Sequence, residues 1–370
     1  MRTGPDTMQL TIHDVAFGGK GVGRAGGMVV FVPYTIPGEE VTVRLTRRKK
    51  NYAEAVPLNI DAPSPDREEA PCPYFGHCGG CAYQHIGYAR QLEIKAQQVE
   101  QTLRRVGKLD PVPMEPIIPS PLPFGYRNRI RVHRQGGITG FYAAGAETLV
   151  DIEKCLLAAP EVNARLTELR AKPLPDGDYT LAGESSRRFF EQTNPEVARA
   201  MLEKVEAILL QGHVEGGGAE GRDRRLIDAY CGAGFFSRHL RRHFGEVVGI
   251  EENSFAIEHA RAQAEPHERY IVGDVSTVLP GLMDGAGMER KRETTLLLDP
   301  PAAGVTPRVL DTILAAAPRE VIYVSCNPGT LARDLNGLRS SYRLRSVTPL
   351  DMFPQTAEIE VIVHLQKNGL

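Results

Sequence analysis

The 370-residue sequence lacks any apolar run close to the length that a membrane-spanning helix needs. Its first residues, MRTGPDTMQLTIHD, also lack the hydrophobic core of a secretory signal peptide. A net charge of −2 excludes the overall positive charge by which many nucleic-acid-binding proteins are identified. We therefore expect a cytoplasmic protein with no membrane partner, a monomer by default, and we look for nucleic-acid binding in local features.

The hydrophobic fraction of 42% and the charged fraction of 24% are typical of globular proteins, and the length suggests two or three domains. Basic residues are concentrated in the run Arg47–Lys50 and in the series Arg127, Arg129, Arg131 and Arg134. In an extended segment, alternate arginines lie on one face. These clusters are compatible with RNA binding, and a solvated surface is the alternative.

The sequence has only six cysteines, Cys72, Cys78, Cys81, Cys155, Cys231 and Cys326. Nothing indicates secretion, so we expect metal ligands or catalytic thiols rather than three disulfides. The first three form a compact group, and the fourth follows at a distance. Four thiolates suit zinc or an iron–sulfur cluster, and this asymmetric spacing favours a [4Fe–4S] cluster. With all four ligand positions filled, we expect a structural or RNA-positioning role rather than radical chemistry.

Strand-like segments occupy the first sixty residues, at 8–17, 27–35, 39–49 and 52–60, and glycine-rich turns separate them. They predict a small OB-like β-barrel over residues 1–62, a fold common among RNA-binding modules.

The rest of the chain divides into two predicted domains. Residues 63–186 are predicted to form a β-rich central domain around the cysteine group, with a helix at about 87–107. From 187 to 370, helical and strand-like segments alternate, which predicts a mostly parallel sheet with helices on both faces. A short link between the last two strands predicts an antiparallel hairpin at one edge. The predicted fold class is therefore α/β, with a Rossmann-like C-terminal domain.

The segment DAYCGAG, residues 228–234, follows a predicted strand and precedes a predicted helix. Gly232 and Gly234 allow a tight turn and a close approach of the backbone to a ligand. Glu251 ends the next strand, where a carboxylate can accept hydrogen bonds from a ribose diol. A dinucleotide site would have another glycine where this chain has serine, so the pattern favours S-adenosylmethionine. Asp274, after the third strand, either contacts adenine or caps a helix.

Two later strand ends carry candidate catalytic groups. In LLLDPP the prolines stiffen the exit loop and fix the direction of Asp299, and VSCNP places Cys326 at the same edge. One reaction that needs a thiolate in such a cleft is methylation of a base at C5 of uracil. That carbon becomes nucleophilic only after the thiolate has added to C6. A base must then remove the C5 proton. Glu358 and Glu360 are two residues apart in the last predicted strand, so we expect them on the same face of the sheet. Both suit that role, and their spacing alone leaves the choice open.

In combination, these motifs resemble one family over nearly the whole chain. FFEQTN, DAYCGAGFFS, LLLDPP, VSCNPGTLARDL and DMFPQTAEIE follow one another as in the RNA uracil-5-methyltransferases, which make 5-methyluridine. The first sixty residues resemble a TRAM domain, and CPYFGHCGGCAYQH with Cys155 resembles the family's [4Fe–4S] motif. The resemblance implies an S-adenosylmethionine-dependent enzyme that acts on RNA. The cluster motif is more typical of the branch acting on 23S ribosomal RNA than of the transfer RNA branch.

The resemblance also implies roles for single residues. Cys326 matches the nucleophile and Glu360 matches the proton acceptor. The cofactor-binding positions of the family match Gln192, Tyr230, Glu251 and Asp299.

The chain departs from the family pattern at three positions, Phe235, Ala302 and Glu358. Many members have a polar residue at the first, an Arg at the second and a His at the third. Two alternatives to the methyltransferase remain. One is an RNA-binding assembly factor in which methylation is incidental. The other is a cytosine-5-methyltransferase. Enzymes of that class need a different motif around the nucleophile, which the SCNP of this chain does not match.

Overall fold

The computed structural model describes residues 7–183, 192–216, 224–284 and 293–369. The chain forms two compact units. The first unit comprises residues 1–98, 120–187 and 353–358, and the second comprises residues 99–119, 188–352 and 359–370. The first three residues of the FFEQTN motif lie outside the described residues.

The N-terminal part of the first unit is a closed five-stranded barrel. Its strands pair in the order β1-β2-β3-β5-β4 and are β1 (Thr7–Val15), β2 (Lys20–Ala25), β3 (Met28–Pro33), β4 (Glu40–Arg48) and β5 (Tyr52–Ala62). Alternate apolar residues of β1 and β4, such as Leu10, Ile12, Val41 and Val43, are buried in the barrel core. The barrel that the sequence predicts is confirmed.

Strand β2 corrects the sequence interpretation, which assigned residues 18–27 to a turn because of their glycines. A Cβ atom at Gly21 would lie 2.1 Å from Oγ1 of Thr35, and one at Gly23 would lie 3.3 Å from Cβ of Leu10. These glycines therefore allow neighbouring segments of the barrel to pack closely within a strand.

The rest of the first unit contains, among the described residues, an antiparallel sheet of four strands. They pair in the order β8-β7-β6-β9 and are β6 (Arg129–Gln135), β7 (Ile138–Tyr142), β8 (Leu149–Asp151) and β9 (Gly177–Ala182). Helix α1 (Tyr88–Arg105) begins in this unit, and α2 (Pro160–Ala171) packs on the sheet. The sequence predicted α1 but not α2, whose N-cap residue, Ala159, makes no side-chain capping bond.

The described part of the second unit is built on a sheet of seven strands. They are β10 (Arg225–Ala229), β11 (Glu246–Glu251), β12 (Glu268–Val272), β13 (Thr294–Leu298), β14 (Glu320–Ser325), β15 (Tyr342–Leu350) and β16 (Glu360–Lys367). The order is β12-β11-β10-β13-β14-β16-β15, and β16 is antiparallel to both of its neighbours. Every residue of β10 and β13 is buried, as expected for parallel strands covered on both faces. The predicted α/β sheet and its C-terminal hairpin are confirmed.

The helices described in this unit are α3 (Pro195–Gly216), α4 (Phe235–Leu240), α5 (Ser254–Arg261), α6 (Val275–Asp284), α7 (Pro307–Ala316) and α8 (Pro328–Leu338). The predicted helix FFSRHLRRHF is shorter than expected, because α4 gives way to a 3-10 turn at Arg241–His243. Helix α6 was not predicted. None of the helices in the described ranges is long and apolar enough to span a bilayer.

A large hydrophobic cluster joins the sheet of the second unit to its helices. It combines Ile227 and Leu296 of the central strands with buried residues of α7 and α8, and it includes Val99 and Leu103 from the last part of α1. Burial of this apolar surface stabilises the sheet and holds its strand ends in place.

Candidate active site

The parallel strands of the second unit end together at one edge of the sheet. Strand β10 lies between β11 and β13 and pairs in register with both, so that Ala229 is next to Ile250 and Leu298. The residues at these strand ends, Tyr230, Glu251 and Asp299, are therefore neighbours. Ligands of open α/β sheets bind at this edge.

Strand β16 brings a further residue to the same edge. Ser325, the last residue of β14, pairs with Val361 of the antiparallel β16. Cys326 directly follows Ser325, and Glu360 directly precedes Val361, so both residues lie at this end of the β14–β16 pair. Cys326 is half-buried, whereas Glu360 is 7% exposed. The two residues on which the predicted chemistry depends are therefore carried by neighbouring strands at one edge of the sheet.

The glycine turn after β10 is held by Glu251. Tyr230, Gly232 and Gly234 all have positive φ angles, of 67°, 53° and 84°. One carboxylate oxygen of Glu251 accepts a hydrogen bond from the Gly232 amide at 3.2 Å, and the other accepts one from the Asn253 amide at 2.8 Å. Each oxygen keeps a second lone pair that can accept a ligand hydroxyl.

Asp228 and Asp299 form an acidic pair that the sequence analysis did not identify as such. Asp228 is fully buried; its Oδ2 accepts a hydrogen bond from the Ser237 amide at 3.0 Å, and its Oδ1 has no partner among the described residues. Burial raises the pKa of Asp228 to about 7. Burial, followed by the charge of Asp228, raises the pKa of Asp299 to about 7. A cationic ligand bound beside the pair would lower both pKa values.

Asn327 fixes the loop that carries Cys326. Its side-chain oxygen caps α8 by accepting hydrogen bonds from the amides of Gly329 at 2.9 Å and Thr330 at 3.4 Å. The backbone amide of Asn327 donates to the Ser325 hydroxyl at 3.2 Å. The turn that presents the thiol is therefore held on both sides.

The loop after Asp299 is bonded to the start of α8. Asn327 Nδ2 and Thr330 Oγ1 donate to the carbonyl of Ala302 at 3.3 and 2.9 Å. Arg333 donates to the carbonyl of Ala303 at 2.9 Å. The Arg333 guanidinium thus binds the loop that contains Ala302, where the resemblance led us to expect an Arg.

Asp334, which sequence analysis missed, completes this connection. It is buried, and its Oδ2 accepts hydrogen bonds from the Val305 amide at 2.9 Å and the Tyr323 hydroxyl at 2.8 Å. Gly304 has a φ of 76°, and a Cβ atom there would lie 2.4 Å from Oδ2 of Asp334. Asp334 is the only carboxylate on the otherwise apolar face of α8, and this pattern in the sequence could have indicated a buried polar contact.

Glu358 and Glu360 differ in position and environment, contrary to the expectation that they share a strand face. Strand β16 begins at Glu360, and Glu358 precedes it. The Glu358 side chain is 64% exposed, and its carboxylate lies 3.9 Å from the Arg127 guanidinium in the first unit.

Asp274 and Gln192 were predicted as cofactor contacts from sequence. Oδ1 of Asp274 accepts a hydrogen bond from the Thr277 amide at 3.1 Å, which confirms the helix-capping alternative at the start of α6. Hydrogen bonds from the Ser276 and Thr277 hydroxyls help to lower the pKa of Asp274. Gln192 is half-buried just before α3.

The first unit contains a cavity of about 250 Å³ into which the cysteine group opens. Its lining includes Cys72, Cys78, Cys81 and Cys155, together with Arg127. The structure therefore places Cys155 with the three cysteines that precede it by more than seventy residues in the sequence. None of the four forms a disulfide.

Hydrogen-bond donors and a cation surround these thiols. The Gly80 amide donates to Sγ of Cys78 at 3.4 Å, and the Gln84 side chain donates to Sγ of Cys81 at 3.2 Å. Burial raises the pKa values of Cys78 and Cys155, and that of Cys81 to about 12, while Arg127 lowers all three. Thiolates in this cavity would therefore need compensating positive charge, such as that of a metal centre.

In the part of the chain that the structure describes, no group of three or more His, Cys, Asp or Glu side chains is arranged to hold a metal ion. The cysteine cavity thus has the donor set for a metal centre without the close convergence that a single ion requires.

Comparison with known proteins gives a consistent picture. Residues 283–368 match the tRNA (uracil-5-)-methyltransferase family, and residues 6–58 match the TRAM domain. The chain is 33% identical to an uncharacterized RNA methyltransferase of Bdellovibrio bacteriovorus, over 97% of this chain and 95% of that protein. A similar protein of Listeria monocytogenes is 31% identical over 98% of each chain.

Among solved structures, the Pyrococcus abyssi tRNA (uracil-54, C5)-methyltransferase in complex with S-adenosyl-L-homocysteine is similar to the whole chain. The TM-score is 0.69 and the sequence identity is 25%, with 97% of this chain and 100% of that chain covered.

The raised pKa of Asp228 predicts a pH-dependent loss of stability. Its pKa rises from 3.8 to about 7, so between these values the native state keeps a proton that the unfolded state has lost. Stability therefore falls as the pH rises through this window and stays low above it. Asp228→Asn should raise the free energy of unfolding at pH 8 by roughly 1–3 kcal/mol, with little effect at pH 4.

Chemical denaturation at both pH values measures this difference, and the exposed Asp311 of α7, changed to Asn, is the control. An equal effect of Asp228→Asn at the two pH values would show that the native pKa is not raised.

Proposed function

The chain belongs to the RNA uracil-5-methyltransferase family, and we propose that it forms 5-methyluridine through a covalent adduct between Cys326 and the target base. It is an S-adenosylmethionine-dependent RNA (uracil-5-)methyltransferase. The observation that supports the proposed mechanism is the register of β14 and β16, in which Ser325 pairs with Val361, the neighbours of Cys326 and Glu360.

The proposed reaction has four steps. The Cys326 thiolate adds to C6 of the uracil, which forms a carbon–sulfur bond and an enolate whose C5 is nucleophilic. C5 then takes a methyl group, which S-adenosylmethionine supplies when bound. The Glu360 carboxylate removes the remaining C5 proton. The electron pair of that C–H bond restores the C5–C6 double bond and expels the thiolate, and Glu360 later returns its proton to solvent.

Seven residues would hold the methyl donor: Gln192, Tyr230, Gly232, Gly234, Glu251, Asp274 and Asp299. The bound S-adenosyl-L-homocysteine of the Pyrococcus abyssi enzyme supports a cofactor of this class. The left-handed backbone at Gly232 and Gly234 brings main-chain atoms close to the sheet edge, where a side chain would obstruct a ligand. Glu251 would accept the ribose hydroxyls, and Asp228 and Asp299 would lie beside the cationic sulfonium.

For the cysteine cavity we propose a [4Fe–4S] cluster, held by Cys72, Cys78, Cys81 and Cys155. The donor set fits, because Fe–S clusters are held by four thiolates and are tuned by hydrogen bonds to sulfur. A cubane also keeps its cysteine sulfurs farther apart than a single ion does. Cysteines that share a cavity without converging on one point are therefore compatible with it.

The RNA target that we propose is 23S ribosomal RNA, because the cysteine motif resembles that of the ribosomal RNA branch. Transfer RNA is the second candidate, and similarity to the Pyrococcus abyssi enzyme favours it. The exposed basic run Arg47–Lys50 at the end of β4 is a candidate contact to phosphate groups of either RNA.

We further propose that the enzyme is a cytoplasmic monomer. Its proposed domains are the TRAM barrel at 1–62, the cysteine-containing domain at 63–186 and the catalytic domain at 187–370.

Substitution of the two central residues should separate the two halves of the reaction. Cys326→Ala should abolish methyl transfer and adduct formation. Glu360→Gln should lower turnover by about 10²- to 10⁴-fold, because the adduct forms but cannot lose its proton. Denaturing gels with radiolabelled RNA measure the adduct, and methyl incorporation measures turnover.

The matched control is Glu358→Gln, which changes a carboxylate outside the proposed chemistry. Full turnover by Cys326→Ala would contradict the proposal, as would an adduct that accumulates with Glu358→Gln but not with Glu360→Gln.

Metal analysis should detect the cluster. Protein purified without oxygen should contain about four iron and four sulfide per chain. Cys81→Ala should lose the iron, whereas Cys231→Ala should retain it, because Cys231 does not line the cavity. One zinc per chain, or no metal in the wild-type protein purified without oxygen, would refute the cluster.

Nucleoside mass spectrometry should identify the target. We expect 5-methyluridine in unmodified 23S ribosomal RNA incubated with enzyme and S-adenosylmethionine, and none in transfer RNA treated in parallel. Product in transfer RNA alone would establish the second candidate. 5-Methylcytidine instead would disprove uracil methylation.

A further inference from the structure

The four-stranded sheet of the first unit has one apolar face and one exposed polar face. Ile130 and Val132 of β6 belong to the hydrophobic cluster under α2, so the alternating residues Arg131 and His133 lie on the opposite face. The side chain of Arg131 is 65% exposed there. An antiparallel sheet commonly faces solvent on one side in this way. This face is therefore accessible to a partner.

Tyr142, the last residue of β7, is an exposed aromatic residue on this face. It is 44% exposed, whereas the preceding Phe141 packs against the apolar cluster on the other side. The centroids of the Tyr142 and His133 rings are 4.3 Å apart. Nδ1 of His133 lies 2.6 Å from one carboxylate oxygen of Asp178 on the adjacent strand, and the other oxygen binds Arg131. The exposed ring is thus supported by a side chain whose own position is fixed.

A groove of about 490 Å³ begins at Tyr142 and runs between this sheet and the N-terminal barrel, both of which belong to the first unit. Ligand sites in proteins have volumes of roughly 300–1,000 Å³, so the groove has room for one nucleotide. Lys20 and Tyr34 of the barrel line its other side. The rest of the lining is rich in glycine, namely Gly18, Gly19, Gly79, Gly80 and Gly145. Because glycines have no side chain, a ligand can approach the main chain closely there.

The position of Tyr34 in the groove is maintained by its neighbours. Its backbone has a φ of 59°, which is strained for a residue with a side chain. The Arg67 guanidinium donates to the Tyr34 carbonyl at 2.8 Å, and the Phe75 ring lies edge-on at 5.1 Å from the Tyr34 ring. Strained residues held in this way are concentrated at ligand-binding and catalytic sites.

Cations lie on both sides of the groove and its sheet. Lys20 is bound to Glu54 at 3.2 Å, but the two side chains are 45% and 33% exposed. An ion pair this exposed contributes little, so its ammonium group can bind a phosphate instead. On the sheet, Arg131 is the second exposed cation. An exposed ring between two cations suits a ligand that combines a flat base with phosphate groups.

We propose that this groove binds one unpaired nucleotide of RNA, with its base stacked on Tyr142 and its phosphates beside Lys20 and Arg131. Only a base that is not already stacked within a duplex can lie on such a ring, so the site favours single-stranded RNA. The barrel that forms the other wall matches the TRAM domain and has a fold common among RNA-binding modules. The site uses none of the residues of the proposed chemistry and goes beyond the proposed function.

The test measures the affinity of full-length protein, purified without oxygen, for a labelled oligouridylate of about 12 nucleotides and for a blunt RNA duplex. Every protein carries Cys326→Ala, so that no covalent adduct contributes to binding. Tyr142→Ala should weaken binding of the oligouridylate by about 5- to 150-fold, the usual effect of losing one base–aromatic stack, and should leave duplex binding unchanged. Tyr142→Phe keeps the ring and should bind as tightly as the parent protein.

Salt dependence tests the phosphate contact separately. Lys20→Gln should reduce the slope of log affinity against log salt concentration by about 0.7, as expected for one phosphate of a single strand. Tyr142→Ala should leave this slope unchanged. The matched control is Leu122→Ala, an exposed apolar residue of the same unit that does not line the groove, and it should change neither quantity. If Tyr142→Ala fails to fold, Tyr142→Leu replaces it, because it also removes the aromatic ring.

Unchanged affinity of the folded Tyr142 variants for the oligouridylate would overturn the inference and favour a protein partner for this face. An equal loss of affinity for the duplex, or no RNA binding by the parent protein, would also overturn it. Methyl transfer is measured separately with the wild-type protein. If that protein binds the oligouridylate through Tyr142 but methylates no RNA, the proposed function fails and the groove assignment stands.

Discussion

The reversed direction of β16 is the constraint on which the candidate active site depends. The parallel strands β10, β11, β13 and β14 all end at one edge of the sheet, and the residues after them lie there. An antiparallel strand begins at that edge. Its first residue, Glu360, therefore reaches the side of the sheet at which β14 presents Cys326. A parallel strand in this place would bring its first residue to the opposite edge.

Hydrogen bonds join the two loops that carry Asp299 and Cys326. Asn327 and Thr330 bind the first loop from the start of α8, and Asp334 binds it from within the core. Groups held in this way lose little freedom when a substrate binds, which favours reaction. Asp228 and Asp299 have the opposite effect: their raised pKa values mean that the charged forms are disfavoured unless a cation lies beside them.

Between β15 and β16 the chain leaves the sheet. It runs through the unit that contains the cysteine cavity and returns at Glu360. The strained backbone of Gln355 is maintained there by buried hydrogen bonds. These hydrogen bonds lie within the first unit and fix the backbone of the segment that connects the last two strands.

The sequence by itself determined the barrel, the alternating α/β pattern, the C-terminal hairpin and the family, since hydrophobic periodicity and short motifs are local properties of the chain. It misassigned β2, whose glycines mark close packing as readily as a turn, and it missed α2, which lacks a capping side chain. The tertiary structure alone decided that Glu358 lies outside β16, that Asp334 links two loops and that Gln91 binds Gln355. These depend on contacts between residues far apart in sequence, and the register and burial that create them are set only when the whole chain folds.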